Sequence, residues 1–394
     1  MFVISHHILK NHTAMKKISL FLFLVLLSSK SILAQTAPSE GTGDIHDPYE
    51  ISSFDNLLWI VADNSRWSKH YIQTANINAS SSSTLNSGKG WLPIGTSSVK
   101  FTGTYDGQNY SISSLYIRRT ARADLSFVGL FSYIGAKGIV KNLSLTSVDY
   151  EGKEDLGALV GQNEGLIDNC SSAGTLTGYS RTGGLVGSNA STGKIENCFS
   201  TCTISGSAYD YKGGLVGKNV GSINNSYATG SVTGMNSVAG LVGENSGEII
   251  FAYSTSDVTG HNFVGGLVGY NSGEISYSYA NIGGTSNVVS VVTSGYAKIG
   301  GLVGENYTDG TISNSYATVD LLSTSDFVYG GGFVAVNRGS ITDCYSYSSV
   351  FLDETLVETA ASGFLVDNYG TVSNSYTRGT VNAVYEAGFV DVVN

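Results

Sequence analysis

The sequence has few charged residues, few prolines and few histidines, and each shortage excludes a class of fold or function. Only 13% of the 394 residues are charged, and proline occurs three times. The formal net charge of −10 gives no sign of the basic stripe that attracts nucleic acids or anionic lipids. We therefore expect neither a nucleic acid nor a membrane surface as the partner.

Histidine is too sparse for the common metal-dependent chemistries. After residue 34 only His46, His70 and His261 remain, far apart in the sequence. The His-Glu-x-x-His pattern of zinc peptidases does not occur. Abundant serine alone does not predict a Ser-His-Asp triad. We predict a non-catalytic chain that needs no cofactor and no metal.

Cysteine is also rare, with four copies. Cys170 and Cys198 occupy the same position of neighbouring repeats, where stacked strands would bring them within the distance that a disulfide allows. Serine and alanine fill this position in other repeats, so a row of small buried residues is the simpler interpretation. Both alternatives stay open at this point.

Glycine, with 50 copies, and tyrosine, with 24, are abundant, as are serine, threonine, asparagine and valine. This mixture is typical of short strands joined by tight turns. A unit best seen over residues 213–232 recurs eight times between Gly157 and Tyr376. No single copy can bury its apolar residues alone, so the copies are expected to stack.

The recurring residues form columns, in which each turn contributes one member. The leucine column is Leu159, Leu185, Leu215, Leu241, Leu267, Leu302, Phe333 and Phe364. The asparagine column is Asn163, Asn189, Asn219, Asn245, Asn271, Asn306, Asn337 and Asn368. The isoleucine column is Ile167, Ile195, Ile223, Ile249, Ile275, Ile312, Ile341 and Val372. The small column is Cys170, Cys198, Ser226, Ala252, Ser278, Ser315, Cys344 and Ser375. The aromatic column is Phe199, Tyr227, Tyr253, Tyr279, Tyr316, Tyr345 and Tyr376.

These columns predict an all-β fold, a right-handed parallel β-helix. The shortest spacing between asparagines, 26 residues, suits one coil of three strands, and the crossover rule favours right-handed winding. Buried asparagines are expected to hydrogen-bond along the axis. Glycines beside the Leu-Val pair are expected to allow sharp or left-handed corners. The longest insertions, 285–298 and 321–329, are expected to project as loops.

The rest of the chain divides into three parts. Residues 1–34 have the basic, apolar and small-residue regions of a signal peptide, with Met15 as an alternative start. Residues 35–47 are predicted to be a flexible leader. Residues 48–156 are predicted to form an N-terminal cap with a short helix over 52–62, followed by opening coils. No segment after the signal peptide is long and apolar enough to span a membrane.

The repeat region is predicted to cover residues 157–394. Its last residues, 388–394, give only the first half of a ninth repeat. Such an uncovered edge predicts either pairing with another copy or, as we favour, a longer reading frame.

The repeats resemble the GLUG motif of bacterial secreted and surface proteins. The resemblance rests on Gly184-Leu-Val-Gly187 and its copies that begin at Gly214, Gly240, Gly266 and Gly301. In each copy an asparagine and an Ile-x-x-Ser-Tyr pattern, or a near variant, follow. The resemblance implies export to the cell surface or the medium. Proteins with this motif include adhesin-like proteins, and the motif also lies beside the catalytic part of IgA-cleaving metallopeptidases.

We expect a scaffold that binds host or environmental glycans or surface proteins, with the tyrosine column as one sugar-stacking candidate. The first alternative is a structural stalk of a larger secreted protein. The second is a polysaccharide lyase or hydrolase, because Glu248 and Glu274 share one column and Glu244 and Glu305 share another. Paired carboxylates of this kind could also hold Ca²⁺, although acids on a solvated face are the simpler interpretation.

Overall fold

A computed structural model describes residues 35–121, 126–206, 211–281, 288–291, 297–323, 327–352, 359–383, 385–387 and 390–393. The predicted signal peptide lies outside these residues, as do 285–287 and 292–296 of the first predicted insertion and 324–326 of the second. The described residues of both insertions lie mostly in strands, so the prediction of projecting loops is wrong for them. Within the described part of the chain, no helix has the length and apolar character needed to cross a membrane.

The described chain is a parallel β-solenoid built from four sheets. Sheet 1 has twelve strands: Tyr49–Ile51, His70–Gln73, Thr104–Asp106, Ile139–Lys141, Leu166–Asp168, Lys194–Glu196, Ser222–Asn224, Glu248–Ile250, Glu274–Ser276, Thr311–Ser313, Ser340–Thr342 and Thr371–Ser373. Sheet 2 has ten strands: Phe131–Ile134, Val160–Asn163, Val186–Asn189, Val216–Asn219, Val242–Asn245, Val268–Asn271, Val303–Asn306, Val334–Asn337, Leu365–Asn368 and Val390–Val393.

The other two sheets complete each turn. Sheet 3 has nine strands: Leu156–Gly157, Thr182–Gly183, Lys212–Gly213, Asn236–Ala239, Asn262–Gly265, Ala297–Gly300, Val328–Gly331, Ala360–Ser362 and Tyr385–Ala387. Sheet 4 comprises Ile77–Asn78, Ser111–Ser113, Tyr116–Arg119, Ser144–Gly152, Ser171–Gly178, Phe199–Ser200, Thr203–Ser205, Tyr227–Ala228, Ser231–Thr233, Tyr253–Ser254, Asp257–Gly260, Tyr279–Asn281, Val288–Val291, Tyr316–Thr318, Asp320–Ser323, Tyr345–Ser346, Ser349–Leu352, Tyr376–Thr377 and Val381–Asn382.

The prediction of stacked columns is confirmed. Each residue pairs with its own copy one turn away, as Val186 does with Val216 and Ile195 with Ile223. All eight members of the leucine column are fully buried. Stacked side chains lie in contact, because parallel strands are about 4.8 Å apart. The repeats therefore form one continuous apolar core along the axis. The right-handed winding stays a prediction.

The prediction of three strands per coil is wrong. The turn that begins at Val186 has five strands of two to four residues, ending with Lys212–Gly213. One break falls at Asn197, whose φ of +54° is left-handed. The same position is left-handed in every repeat: Asn169, Asn197, Asn225, Phe251, Tyr277, Asn314, Asp343 and Asn374. We call this set the left-handed corner.

The glycines beside the Leu-Val pair have a different role from the predicted one. Their φ angles are outside the left-handed region in the described turns. A Cβ added at Gly184 would lie 2.0 Å from Ser200 Oγ and 2.2 Å from the Gly214 carbonyl oxygen. Such contacts are far too short, so glycine is required here because two turns approach closely.

The predicted cap helix is present at Phe54–Val61. Ser53 caps it, since the Ser53 hydroxyl accepts from Asn56 N–H at 3.3 Å and Asn56 Oδ1 accepts from Ser53 N–H at 3.1 Å. The 3-10 helices are Asn64–Arg66 and Ser80–Gly88, the second with a kink. The leader segment touches the cap, because Asn56 Nδ2 donates to the Thr36 carbonyl oxygen at 3.0 Å.

Candidate functional site

The asparagine column forms a continuous hydrogen-bonded ladder inside the solenoid. Each Nδ2 group donates to the Oδ1 of the next asparagine at 2.8–2.9 Å, over all seven steps from Asn163 to Asn368. The predicted axial ladder is therefore confirmed. It satisfies buried amides that would otherwise destabilise the fold, and it fixes the register of sheet 2.

The side chain that precedes each ladder asparagine points to the opposite side of the same strand. These outward positions are Gln162, Ser188, Lys218, Glu244, Tyr270, Glu305, Val336 and Asp367. Seven residues earlier in each turn, beside sheet 3, lie Asp155, Arg181, Tyr211, Ser237, Phe263, Lys298, Tyr329 and Ala360. Together the two sets form what we call the corner face, and its residue types change from turn to turn.

Charged side chains of the corner face form ion pairs. Arg181 Nε and Nη2 each donate to an Asp155 carboxylate oxygen at 2.6 Å. Glu305 accepts from Lys298 Nζ at 2.6 Å and from Arg338 Nε at 3.0 Å. Glu305 is 4% exposed and bound by two cations, so this carboxylate is a structural ion-pair partner.

One turn of the corner face contains a cavity. At Ser237 the small side chain replaces the large ones that neighbouring turns carry, and a cavity of about 510 Å³ opens there. Its lining residues are Tyr211, Asn236, Ser237, Glu244, Phe263 and Tyr270. We call this cavity the slot. Three aromatic rings, two small polar groups and one carboxylate are a typical set for a small-molecule site.

Glu244 is the only carboxylate among the slot's lining residues. Its Oε1 accepts from Lys218 Nζ at 2.9 Å. Its Oε2 is buried and has no hydrogen-bond partner within the described ranges. Burial is the main cause that raises the pKa of neighbouring Tyr270 to about 12, with Tyr307 and the carboxylates of Glu305 and Glu244 adding to it.

The predicted carboxylate columns are placed differently from each other. Glu248 and Glu274 pair on neighbouring strands of sheet 1 and line an open groove of about 940 Å³. Glu244 and Glu305 are two turns apart, because Tyr270 lies between them. Glu244 and Glu305 thus share one column as predicted, but they do not form a carboxylate pair.

The groove beside Glu248 and Glu274 has few groups that hold cations. Its lining includes Lys194, Asp309 and a row of glycines. In the described part of the chain, no group of three or more histidine, cysteine, aspartate or glutamate side chains converges on a point that could hold a metal ion. Two carboxylates side by side are fewer oxygen ligands than Ca²⁺ ordinarily takes.

The aromatic column is a stack of rings with covered faces. Tyr227, Tyr253 and Tyr279 have ring centroids 4.7 and 5.0 Å apart and interplanar angles of 5° and 3°. Each ring in the column lies face to face with the next, so only ring edges remain open to the sides. A sugar stacks on the face of an aromatic ring, so this geometry does not support the sugar-stacking interpretation of the column.

The cysteines are free and buried. Cys170 and Cys198 share a column as predicted, but each thiol donates to the carbonyl oxygen two residues earlier, at 3.3 and 3.0 Å. The Ser226 hydroxyl makes the same bond to the Asn224 carbonyl oxygen at 2.8 Å, which explains why either serine or cysteine can occupy the small column. Burial raises the pKa of Cys344 to about 12, and that of Cys198 well above its ordinary value.

Neither the left-handed corner nor the slot was predicted from the sequence. The slot depends on positions outside the recurring motif residues, whereas the left-handed corner is asparagine in five of the eight turns. The signal for the slot was nevertheless present: aligned seven residues before the outward column, Ser237 is a small residue between Tyr211 and Phe263.

Three segments of the chain match the family model described as "The GLUG motif", at residues 178–205, 212–233 and 295–321. Halomucin from Haloquadratum walsbyi is 36% identical over 159 residues, which is 40% of this chain and 2% of halomucin. The immunoglobulin A1 protease of Streptococcus sanguinis is 32% identical over 177 residues, which is 43% of this chain and 9% of the protease. The chain thus spans a small part of these relatives' length.

A solved structure described as a candidate immunoglobulin A1 protease from Bacteroides ovatus is also similar. It has 17% sequence identity and a TM-score of 0.46, and the similarity covers 86% of this chain and 87% of that chain.

Proposed function

We propose that this GLUG-motif repeat protein is an exported, non-catalytic scaffold that binds glycans or proteins at a cell surface, in the manner of an adhesin. One observation carries the proposal. In eight of the ten strands of sheet 2 one inward position is always asparagine, while the adjacent outward position varies between charged, aromatic and aliphatic residues. A constant frame with a varied surface is suited to recognition.

A location outside the cell has two sources of support. The pattern of residues 1–34 is that of a signal peptide, although those residues lie outside the described ranges. The partial matches to halomucin and to an immunoglobulin A1 protease favour an extracellular or surface location.

A binding assay tests the proposal. Purified protein without residues 1–34 is applied to a glycan array, to immobilised extracellular matrix and mucin proteins, and to cultured cells. We expect saturable binding to at least one of these surfaces. Variants of the corner face, such as Lys218→Ala with Glu244→Ala, should weaken that binding. Blank results on all three surfaces would instead favour a structural stalk.

A polysaccharide-cleaving enzyme is the second candidate, because Glu248 and Glu274 line a groove. Both carboxylates lie side by side on the same wall, whereas glycosidases place their two carboxylates on either side of the scissile bond. Release of reducing ends from a panel of neutral and acidic polysaccharides would support this candidate, provided that Glu248→Gln and Glu274→Gln each abolish it.

A further inference from the structure

The slot exists because one small residue lies between two large ones. Lys212 pairs with Val238 and Val238 with Val264, so Tyr211, Ser237 and Phe263 occupy successive turns of one column. All three have left-handed φ angles, of +72°, +48° and +51°. Tyr211 and Phe263 are two strand spacings apart, which is about 10 Å. A six-membered ring in van der Waals contact on both faces needs about 8 Å.

Each of the two aromatic walls has a lysine beside it, and Lys218 Nζ lies 5.6 Å from the Tyr211 ring centroid. Lys298 lies one turn beyond Phe263, with its Nζ 4.8 Å from the ring centroid. The opposite face of Phe263 is therefore turned toward Ser237 and the slot. Tyr270 meets the Phe263 ring edge to face, at 5.9 Å between centroids and 83°, and closes one side. The slot thus offers a flat apolar wall beside polar groups.

The polar groups of the slot are arranged for hydroxyl ligands. Glu244 Oε2 is a buried acceptor without a partner in the described part of the chain, and such an atom is unfavourable until a donor reaches it. Asn236 and Ser237 add an amide and a hydroxyl, which can both donate and accept. A ligand with several neighbouring hydroxyl groups would satisfy all three side chains.

The charge of the slot favours a neutral ligand over a cation. Glu244 is already paired with Lys218 Nζ at 2.9 Å, so the two formal charges cancel. An organic cation stacked between the rings would meet Lys218 as a like charge. A neutral polyhydroxylated ring meets no such repulsion, and its CH groups pack on the aromatic faces.

We propose that the slot binds a single pyranose ring of a neutral glycan, with the sugar between Tyr211 and Phe263 and a sugar hydroxyl donating to Glu244 Oε2. This inference deepens the proposed function and rests on it, since it names the ligand class and the position where binding takes place.

Calorimetric titration of the protein with neutral tetrasaccharides of glucose, galactose, mannose and N-acetylglucosamine tests the inference. At least one tetrasaccharide should bind with a dissociation constant in the millimolar range or lower. Ser237→Phe fills the slot with the residue that the next turn carries in the same backbone conformation, so it should fold normally and abolish binding. Glu244→Gln should weaken binding about tenfold, because it removes the charged acceptor.

Phe251→Ala is the matched control. It removes another exposed aromatic ring, 54% exposed, at a different corner of the solenoid, and it should leave the dissociation constant unchanged. Tetramethylammonium should not displace the bound sugar. Circular dichroism of each variant checks that the fold is retained.

The other outcomes overturn the inference. Sugar binding that survives Ser237→Phe, or that is lost in Phe251→Ala, would leave the protein a glycan binder with its site elsewhere. Displacement by tetramethylammonium would show that the slot takes cations. Failure of every tetrasaccharide to bind, together with binding to proteins or cells, would refute the slot while the proposed function stands.

Discussion

Two neighbouring positions of the same strand follow opposite rules in this protein. Asn245 faces inward, is fully buried and is bonded to its own copies in the turns on either side. Glu244 faces outward and is aligned with Lys218 and Tyr270. An inward residue must suit an identical neighbour twice, so the ladder keeps one residue type. An outward residue meets whatever the neighbouring turn carries, so the corner face can change without disturbing the frame.

The largest effect is expected when the ladder is broken in its middle. Asn245→Ala removes the acceptor of Asn219 Nδ2 and the donor to Asn271 Oδ1. Buried polar groups without partners are costly, so we expect a loss of about 3 kcal/mol in the free energy of unfolding. Urea denaturation followed by circular dichroism measures it.

Two variants provide the contrast for Asn245→Ala. Asn368 is the last residue of the ladder, so Asn368→Ala should lose about 1 kcal/mol. Gln162→Ala changes an outward position and should change stability by less than about 0.5 kcal/mol. Equal losses in all three variants would show that inward and outward positions do not differ as described.

The left-handed corner is exposed in all eight turns, whereas the residues of the corner face are buried or half-buried. The left-handed corner uses asparagine in five of its eight turns. The exceptions are Asp343, Phe251 and Tyr277. The two aromatic residues have φ of +53° and +48° and ring centroids 5.2 Å apart. Bulky residues are strained in this conformation. We expect Phe251→Asn with Tyr277→Asn to raise the free energy of unfolding by about 1 kcal/mol, as thermal denaturation would show. A lower melting temperature would mean that the ring contact contributes more than the strain costs.

In the small column, a substitution that adds a buried hydroxyl group is expected to stabilise the fold. Ser278 Oγ donates to the Ser276 carbonyl oxygen at 2.8 Å and accepts from the Ala252 N–H at 3.1 Å. Ala252 has no hydroxyl, so Ala252→Ser should add the equivalent bonds to Ile250 and Ser226. A typical hydrogen bond predicts a gain of up to about 1 kcal/mol, measured by urea denaturation. A loss would indicate that the core at Ala252 has no space for the oxygen.

The smallest effect concerns alkaline pH and the corner face. Burial, with neighbouring Tyr307 and carboxylates, raises the pKa of Tyr270 from 10.0 to about 12. Above pH 10 the unfolded chain ionises this phenol while the folded chain does not, so stability that is present below pH 10 declines as the pH rises toward 12. Tyr270→Phe should make that decline shallower in urea denaturation curves. Identical slopes would show that Tyr270 ionises alike in both states.

The columns could be predicted from the sequence because each depends on one residue type at a recurring place. The asparagine ladder, the leucine core and the alignment of Cys170 with Cys198 all follow from that recurrence. The slot could not be predicted in the same way, because it depends on a difference between turns, Ser237 beside Tyr211 and Phe263. Motif residues report what turns share, and the corner face is where they differ.

The left-handed corner was missed for another physical reason. Asparagine adopts positive φ at low energetic cost, but it is also common in ordinary turns. The asparagines at this position therefore did not by themselves indicate a left-handed conformation. Phe251 and Tyr277 conceal the conformation further, because no residue preference points to it. Left-handed corners were predicted instead at the glycines beside the Leu-Val pair. The role of these glycines is to permit close approach of neighbouring turns, as at Gly184 and Gly214.

The aromatic column also gives this molecule an optical signature. Phenol rings held parallel at 4.7–5.0 Å couple their electronic transitions, as rings in a disordered chain do not. The near-ultraviolet circular dichroism of the tyrosines therefore reports whether adjacent turns are in register, without any label. Tyr279→Leu would remove one ring from the middle of the stack and divide the aromatic column into two shorter arrays. The circular dichroism signal of that turn would then be lost.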